Sequence, residues 1–217
     1  MNESRSSTLA RYEGRDRLLK ADRTAILVVD AQNAELEPEV LENYPEFAAA
    51  LRERALPAMK RLIDGARAQG VEIVYTVIEA LTRDGRDRSL DHKLSNILVP
   101  RGSRLAKVID EVAPHGDDIV LPKTSSGVFN STSIDYVLRN LGIENLVVTG
   151  FVTDQCIDMA IRDGADRGYY MVCAADACAA YTDERHSAAL RAFGGYCRTQ
   201  MVDEILSQIV PGRATDA

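Results

Sequence analysis

Three polar residues stand where apolar runs end. Asp30 closes Thr24-Ala25-Ile26-Leu27-Val28-Val29, and Lys123 follows Ile119-Val120-Leu121-Pro122. Cys156 follows Leu146-Val147-Val148-Thr149 through the turn Gly150-Phe151-Val152-Thr153-Asp154-Gln155. Together these residue types describe a nucleophile and its base: a carboxylate takes a thiol proton, a lysine keeps that carboxylate charged, and the thiolate attacks a carbonyl carbon. Cys156 is expected at or near a helix N-terminus, where unpaired amides and the positive dipole end favour thiolate over thiol. Singly, each has a plainer reading. Asp30 could cap a turn, Lys123 could be a solvated charge, and Cys156 could be one more buried thiol. Cys173, Cys178 and Cys197 read as structural thiols, and with no C-x-x-C pair neither a disulfide framework nor a zinc site is expected. His92, His115 and His186 are too far apart in sequence to share a helical turn, which disfavours a histidine-rich metal site.

Convergence of the three requires a scaffold that brings strand ends together. Short continuous apolar runs at Thr24–Asp30, Val71–Val77, Leu146–Thr149 and Tyr169–Ala174 suit strands buried on both faces, with weaker runs at Ile119–Leu121 and Thr199–Met201. Between them the apolar spacing becomes helical. Leu56, Met59, Ile63 and Ala66 precede Gly70, and Ile134, Val137, Leu138 and Leu141 precede Gly142, behind the capping candidates Ser131-Thr132-Ser133. Further helices are expected over 156–167 and 183–196. Strand and helix alternate, so the predicted fold is a three-layer α/β arrangement: a six-stranded, mostly parallel sheet with helices on both faces. In such sheets ligands bind outside the C-terminal strand ends, where Asp30, Lys123 and Cys156 lie. Residues 81–100, rich in charge, Gly and Ser, are predicted to be a long loop over one end of the sheet. Residues 1–23 read as an N-terminal arm, and 24–210 as one domain.

Composition excludes other classes. The 217 residues are 46% hydrophobic and 27% charged, with a net charge of −7, an ordinary globular balance. No apolar run approaches the ~18 residues of a membrane span, and the acidic balance offers no general attraction for nucleic acid. The first 23 residues lack the apolar stretch of a secretory signal, which predicts a cytoplasmic protein.

Three segments carry a family resemblance: Ala25-Ile26-Leu27-Val28-Val29-Asp30-Ala31-Gln32-Asn33, Pro122-Lys123-Thr124-Ser125-Ser126-Gly127-Val128-Phe129, and Val148-Thr149-Gly150-Phe151-Val152-Thr153-Asp154-Gln155-Cys156. In this order the chain resembles the isochorismatase-like cysteine hydrolase superfamily from about Thr24 to Leu206. The resemblance implies a catalytic Asp30, Lys123 and Cys156, a cis peptide between Phe151 and Val152, and a parallel α/β sheet. It also implies an oxyanion hole from the Val152 and Cys156 backbone amides, no metal or organic cofactor, and a homodimer or homotetramer. Nicotinamidases of the superfamily carry a metal-binding Asp-x-His motif, whereas here Thr76-Val77-Ile78-Glu79-Ala80-Leu81-Thr82 has no histidine. The pattern Thr153-Asp154-Gln155-Cys156, then Arg162-Asp163 and Asp176-Ala177-Cys178, looks most like the metal-free branch acting on ureido and carbamoyl compounds, including ureidoacrylate, biuret, triuret and N-carbamoylsarcosine.

The implied activity is cleavage of a C–N bond in a small linear ureide or amide, with a thioester intermediate and release of ammonia. Candidate substrate-binding residues are Asn33, Glu79, Phe129, Phe151, Gln155 and Tyr181. Glu79 has an alternative as an ion-pair partner of Arg83, Arg86 or Arg88, and the aromatics have one as plain core. His186 is given no catalytic role. Two other readings stay open: a non-hydrolytic binding or scaffold protein of the same fold, and a redox-active thiol protein using Cys156 with Cys178 as resolving partner.

Overall fold

The structure, a computed structural model, describes residues 16–212. Residues 1–15 of the expected arm lie outside the described residues. The remainder of the arm is ordered into the fold, because β1 (Leu19–Lys20) pairs in parallel with β8 (Ile209–Val210), two short strands that the sequence pattern does not reveal.

The six expected strands form one sheet. β2 (Thr24–Val29), β3 (Glu72–Ile78), β4 (Ile119–Lys123), β5 (Asn145–Phe151), β6 (Tyr170–Ala179) and β7 (Arg198–Gln200) lie in the order β4-β3-β2-β5-β6-β7, every pair parallel. The chain builds outward from β2 in one direction and from β5 in the other. The strand order therefore reverses between β2 and β5, and their C-terminal ends diverge into a crevice.

Alternation along β2 explains why its sequence is apolar throughout. Ile26 and Val28 face one core layer, and Ala25, Leu27 and Val29 face the other. The first layer is closed by α1 (Leu56–Ala68), through Leu56, Met59, Leu62, Ile63 and Ala66, and by α5 (Val202–Gln208), through Val202 and Ile205. The second is closed by α2 (Ile134–Asn140), α3 (Asp158–Asp166) and α4 (Asp183–Phe193). The α2 pattern is partly misleading: Ile134 and Leu138 are buried, but Leu141 is exposed just past the helix end. Thr132 supplies the expected polar stop before α2, its Oγ1 accepting from the Ile134 amide at 3.1 Å.

Two local features shape the crevice. Asp30 leaves β2 with φ +53°, a left-handed conformation that a short acidic residue tolerates, and its amide donates to the Thr76 carbonyl at 2.9 Å. Beside it, Gly150 (φ +125°) passes so close to β2 that a Cβ would lie 1.9 Å from the Val29 carbonyl oxygen. Only glycine fits. Farther along, the β5–β6 register shifts between Val148 and Gly150; Thr149 Oγ1 donates to Ala177 O at 2.7 Å, and Arg54 Nη1 reaches Cys178 O at 2.8 Å.

Gly150→Ala is expected to cost about 4 kcal/mol or more, since it adds both a backbone clash and a forbidden φ. Gly70→Ala, at φ +75° with open space around its Cβ, should cost only ~1 kcal/mol. Denaturant titration of the two variants checks the contrast; similar losses would sink the close-approach argument.

Candidate active site

Asp30, Lys123 and Cys156 meet in the crevice. Lys123 ends β4, two strands from β2, and its side chain reaches inward until Nζ lies 2.9 Å from Asp30 Oδ2 and 3.4 Å from Cys156 Sγ. Both partners of the ion pair are fully buried, at 0% and 1% exposure. The ammonium also donates to the Ser125 carbonyl at 2.8 Å and the Ser126 carbonyl at 3.4 Å, so the loop after β4 satisfies its remaining protons.

Cys156 arrives on the other side. The segment Thr153–Ile157 forms a π turn that runs directly into α3, widening the first turn at the nucleophile position. The peptide between Phe151 and Val152 is cis, as the resemblance implies. Behind the turn, His186 from α4 places Nδ1 2.8 Å from Thr153 Oγ1, and Arg185 pairs with Asp154 at 2.5 Å. His186 is buried, and burial followed by the Arg54 charge lowers its pKa to about 4, so the ring is neutral.

The electrostatics correct one expectation. Helix placement suggests a thiolate-prone Cys156, yet burial first, and the adjacent Asp30 charge second, push its thiol up to about 12. Burial likewise raises Asp30 above the ordinary carboxylate range against the pull of Lys123. For Lys123 burial acts downward, but Asp30 and Cys156 outweigh it and hold the ammonium above its ordinary value. Burial thus disfavours the thiolate, while the 2.9 Å contact with Lys123 supports Asp30 as a carboxylate.

Asp30 and Cys156 line a cavity of about 180 Å³, and Lys123 is not among its lining residues. Of the expected binding residues, Phe151, Gln155 and Tyr181 line it, together with Val152 of the expected oxyanion hole. Tyr181 is stacked on Tyr44 at 4.1 Å, and Phe151 meets Phe47 edge-on. Three do not line it. Asn33 turns away and donates to the Arg104 carbonyl at 3.2 Å. Glu79 faces a separate cleft of about 410 Å³ and accepts from the Gly102 amide at 2.6 Å, and among the described residues no arginine pairs with it. Phe129 is buried in the second core layer, stacked with Tyr169, because its short helical turn (Val128–Ser131) packs under α3.

Gln32, Glu35, His92 and Ser126 line the cavity without having been singled out. Gln32 stitches three segments: its carboxamide accepts from Ile78 N at 2.6 Å and donates to Ile78 O and Leu105 O at 3.0 Å each. Its place two residues after Asp30 was the available signal. His92 comes from the predicted loop, which contains a short helix (Leu90–Leu94) capped by Ser89 and does cover one side of the pocket through His92, Ile97 and Val99. No signal in the sequence marks it. Among the described residues no cluster of three His, Cys, Asp or Glu is placed to hold a metal.

The isochorismatase-domain family model matches residues 24–203. The chain belongs to that family. Curated relatives include the ureidoacrylate amidohydrolase of Rhizobium rhizogenes, 33% identical over 179 residues that cover 73% of this chain and 71% of the relative. The enzyme of that name from Azorhizobium caulinodans is 33% identical over 72% of this chain and 76% of its own length. Among solved structures, N-carbamoylsarcosine amidase from Thermoplasma acidophilum superposes with a TM-score of 0.70 at 26% identity, over 84% of this chain and 98% of that one. A cysteine hydrolase from Pseudomonas syringae shares the fold with a TM-score of 0.78 at 24% identity, over 90% and 98%.

With its pKa near 12, Cys156 is expected to react slowly with iodoacetamide at pH 7, the rate rising steadily into the alkaline range. Mass-spectrometric mapping of the Cys156 peptide reads the rate; fast alkylation at pH 7 would contradict the assigned electrostatics.

Proposed function

We propose that this protein is a cysteine amidohydrolase that cleaves the C–N bond of a small linear ureido, carbamoyl or amide compound. The carrying observation is the buried contact of Lys123 Nζ with both Asp30 and Cys156, the two residues of the cluster that line the 180 Å³ cavity. The family match and the relatives named as amidohydrolases support the reading.

Asp30 takes the Cys156 proton as the thiol sulfur bonds to the substrate carbon. Proton transfer inside the cluster avoids forming a free thiolate in a site that disfavours one. The former carbonyl oxygen becomes an oxyanion held by the backbone amides of Val152 and Cys156. The Lys123 charge stabilises Asp30 as a carboxylate before the transfer and the negative charge displaced from it afterwards, which matters because the surroundings screen charge poorly. Asp30 then returns the proton to the leaving nitrogen, and ammonia or an amine departs, leaving a thioester. Water attacks that thioester with its proton taken by Asp30; the C–S bond breaks and the proton passes to sulfur, restoring the thiol. The ledger is one C–N bond broken, one water consumed, and one acid and one ammonia or amine formed.

The cavity is smaller than the ~300 Å³ lower bound typical of drug-sized ligand pockets, which favours compounds of ureido size. The redox reading is weakened by Cys178, whose thiol lies in the sheet against Val148 O and beside Cys173, fully buried.

Cys156→Ser is expected to lower ammonia release from an active ureide or amide by at least about 10³-fold with the fold retained. Lys123→Ala should lose activity and also ~3–5 kcal/mol of stability, because it strands Asp30 in the interior. A panel of ureides and amides assayed for ammonia, with denaturation of each variant, checks both. Residual full activity in Cys156→Ser refutes the nucleophile assignment.

A further inference from the structure

The cavity's polar wall carries information about the substrate beyond the reacting group. Its lining includes two acidic side chains, Asp30 on the floor and Glu35 on the wall. Glu35 sits on the single helical turn Asn33–Leu36 that follows Asp30, held by its amide bond to Gln32 O at 3.0 Å. No arginine lines the cavity among the described residues, and Lys123 is committed to Asp30 and Cys156.

Four arginines outside the lining have partners of their own. Arg104 pairs with Glu37, on the residue after the Glu35 turn. Arg185 pairs with Asp154. Arg88 donates to the Gly85 and Ile97 carbonyls, and Arg54 to the carbonyls of β6. His92, on the opposite wall, has its pKa lowered first by burial and then by Lys123. A substrate carboxylate would thus enter a confined space whose lining, among the described residues, offers no lysine or arginine to neutralise it, a costly placement.

We propose that Glu35 reads the end of the substrate remote from the reacting carbon, and that the pocket accepts ureides and amides whose remote end is an uncharged hydrogen-bonding group while disfavouring those that carry a carboxylate there. This rests on the amidohydrolase reading and narrows it. It sets the chain apart from the relatives named for ureidoacrylate, itself a ureido acid. Burial and the nearby Asp30 charge push the Glu35 carboxyl up to about 8, so near neutral pH it both donates and accepts, as an amide or ureide end requires.

The test compares N-carbamoylglycinamide with N-carbamoylglycine, which share a ureido head and differ in an amide or a carboxylate end. Binding is measured by calorimetry at pH 7 in the full-length Cys156→Ser protein. The amide is expected to bind at least about tenfold tighter. Adding Glu35→Lys should tighten the carboxylate compound by about tenfold or more, and adding Glu35→Gln, which keeps the shape, should hold amide binding within about threefold. Equal or tighter binding of the carboxylate compound overturns the proposal, as does a preference unchanged in a folded Glu35→Lys protein, or no binding of either compound at about 10 mM. Ammonia release by the unmodified protein separates the two readings. Binding discrimination without turnover of any ureide or amide would sink the amidohydrolase reading and leave the charge preference standing.

Discussion

A lysine ammonium and an aspartate carboxylate, both removed from water, hold the site together. Neither charge could stay in the interior without the other, and breaking such a pair costs several kcal/mol because one ion is left uncompensated. The 2.9 Å contact of Lys123 with Asp30 supplies each with its counter-charge, and two loop carbonyls also accept from the ammonium. Much of the surrounding architecture serves that contact: the left-handed exit of Asp30 from β2, the inward reach from the end of β4, and the loop Ser125–Ser126 folded back on the nitrogen. The third member, Cys156, is a buried neighbour whose thiolate is disfavoured by that burial and by the Asp30 charge.

The strand-order reversal supplies the space. β2 and β5 run side by side until Gly150, where their backbones come too close for any side chain, and then separate. Past that point the chain after β2 turns toward Gln32 and Glu35, while the chain after β5 turns into the cysteine's π turn. The nucleophile's turn is secured from behind by α4, through His186 on Thr153 and Arg185 on Asp154. Tyr181, just before that helix, forms part of the cavity wall, so one segment both braces the cysteine's turn and borders the cavity.

The main fold was legible because buried parallel strands leave an unmistakable trace: uninterrupted apolar runs ending in a polar residue. The four central strands were visible this way, as were the helices whose apolar spacing is helical; β4 left a weaker trace, and β7, Arg198-Thr199-Gln200, has no apolar residue at all. β1 and β8 were not, since two-residue strands such as Leu19–Lys20 carry no periodicity. The Asp30, Lys123 and Cys156 cluster was legible from strand ends and from the family's motifs. The pocket walls were less so. Phe129 and Phe151 are both buried aromatics near the site, and which one faces the cavity is decided by packing of the short turn under α3 rather than by local pattern. Asn33 and Glu35 sit two residues apart on a single turn with opposite outcomes, a distinction of about half a turn that no hydropathy pattern encodes. Thiol ionisation was misjudged for a related reason. Helix position is a local property, but burial and the Asp30 charge are tertiary ones, and they prevail.

One consequence lies at the sheet's border. β4 is an edge strand, paired only with β3, and its middle is poorly covered, with Val120 41% exposed. Edge strands fray more readily than central ones because they have half the hydrogen-bonded neighbours. Yet the last residue of this one is Lys123, bound inside the molecule to the carboxylate beneath the central strand. Fraying of β4 from that end would strip Asp30 of its counter-charge, so the electrostatics of the interior act as a rivet on the periphery. The margin of the sheet and the assembled nucleophile site therefore open and close as one unit.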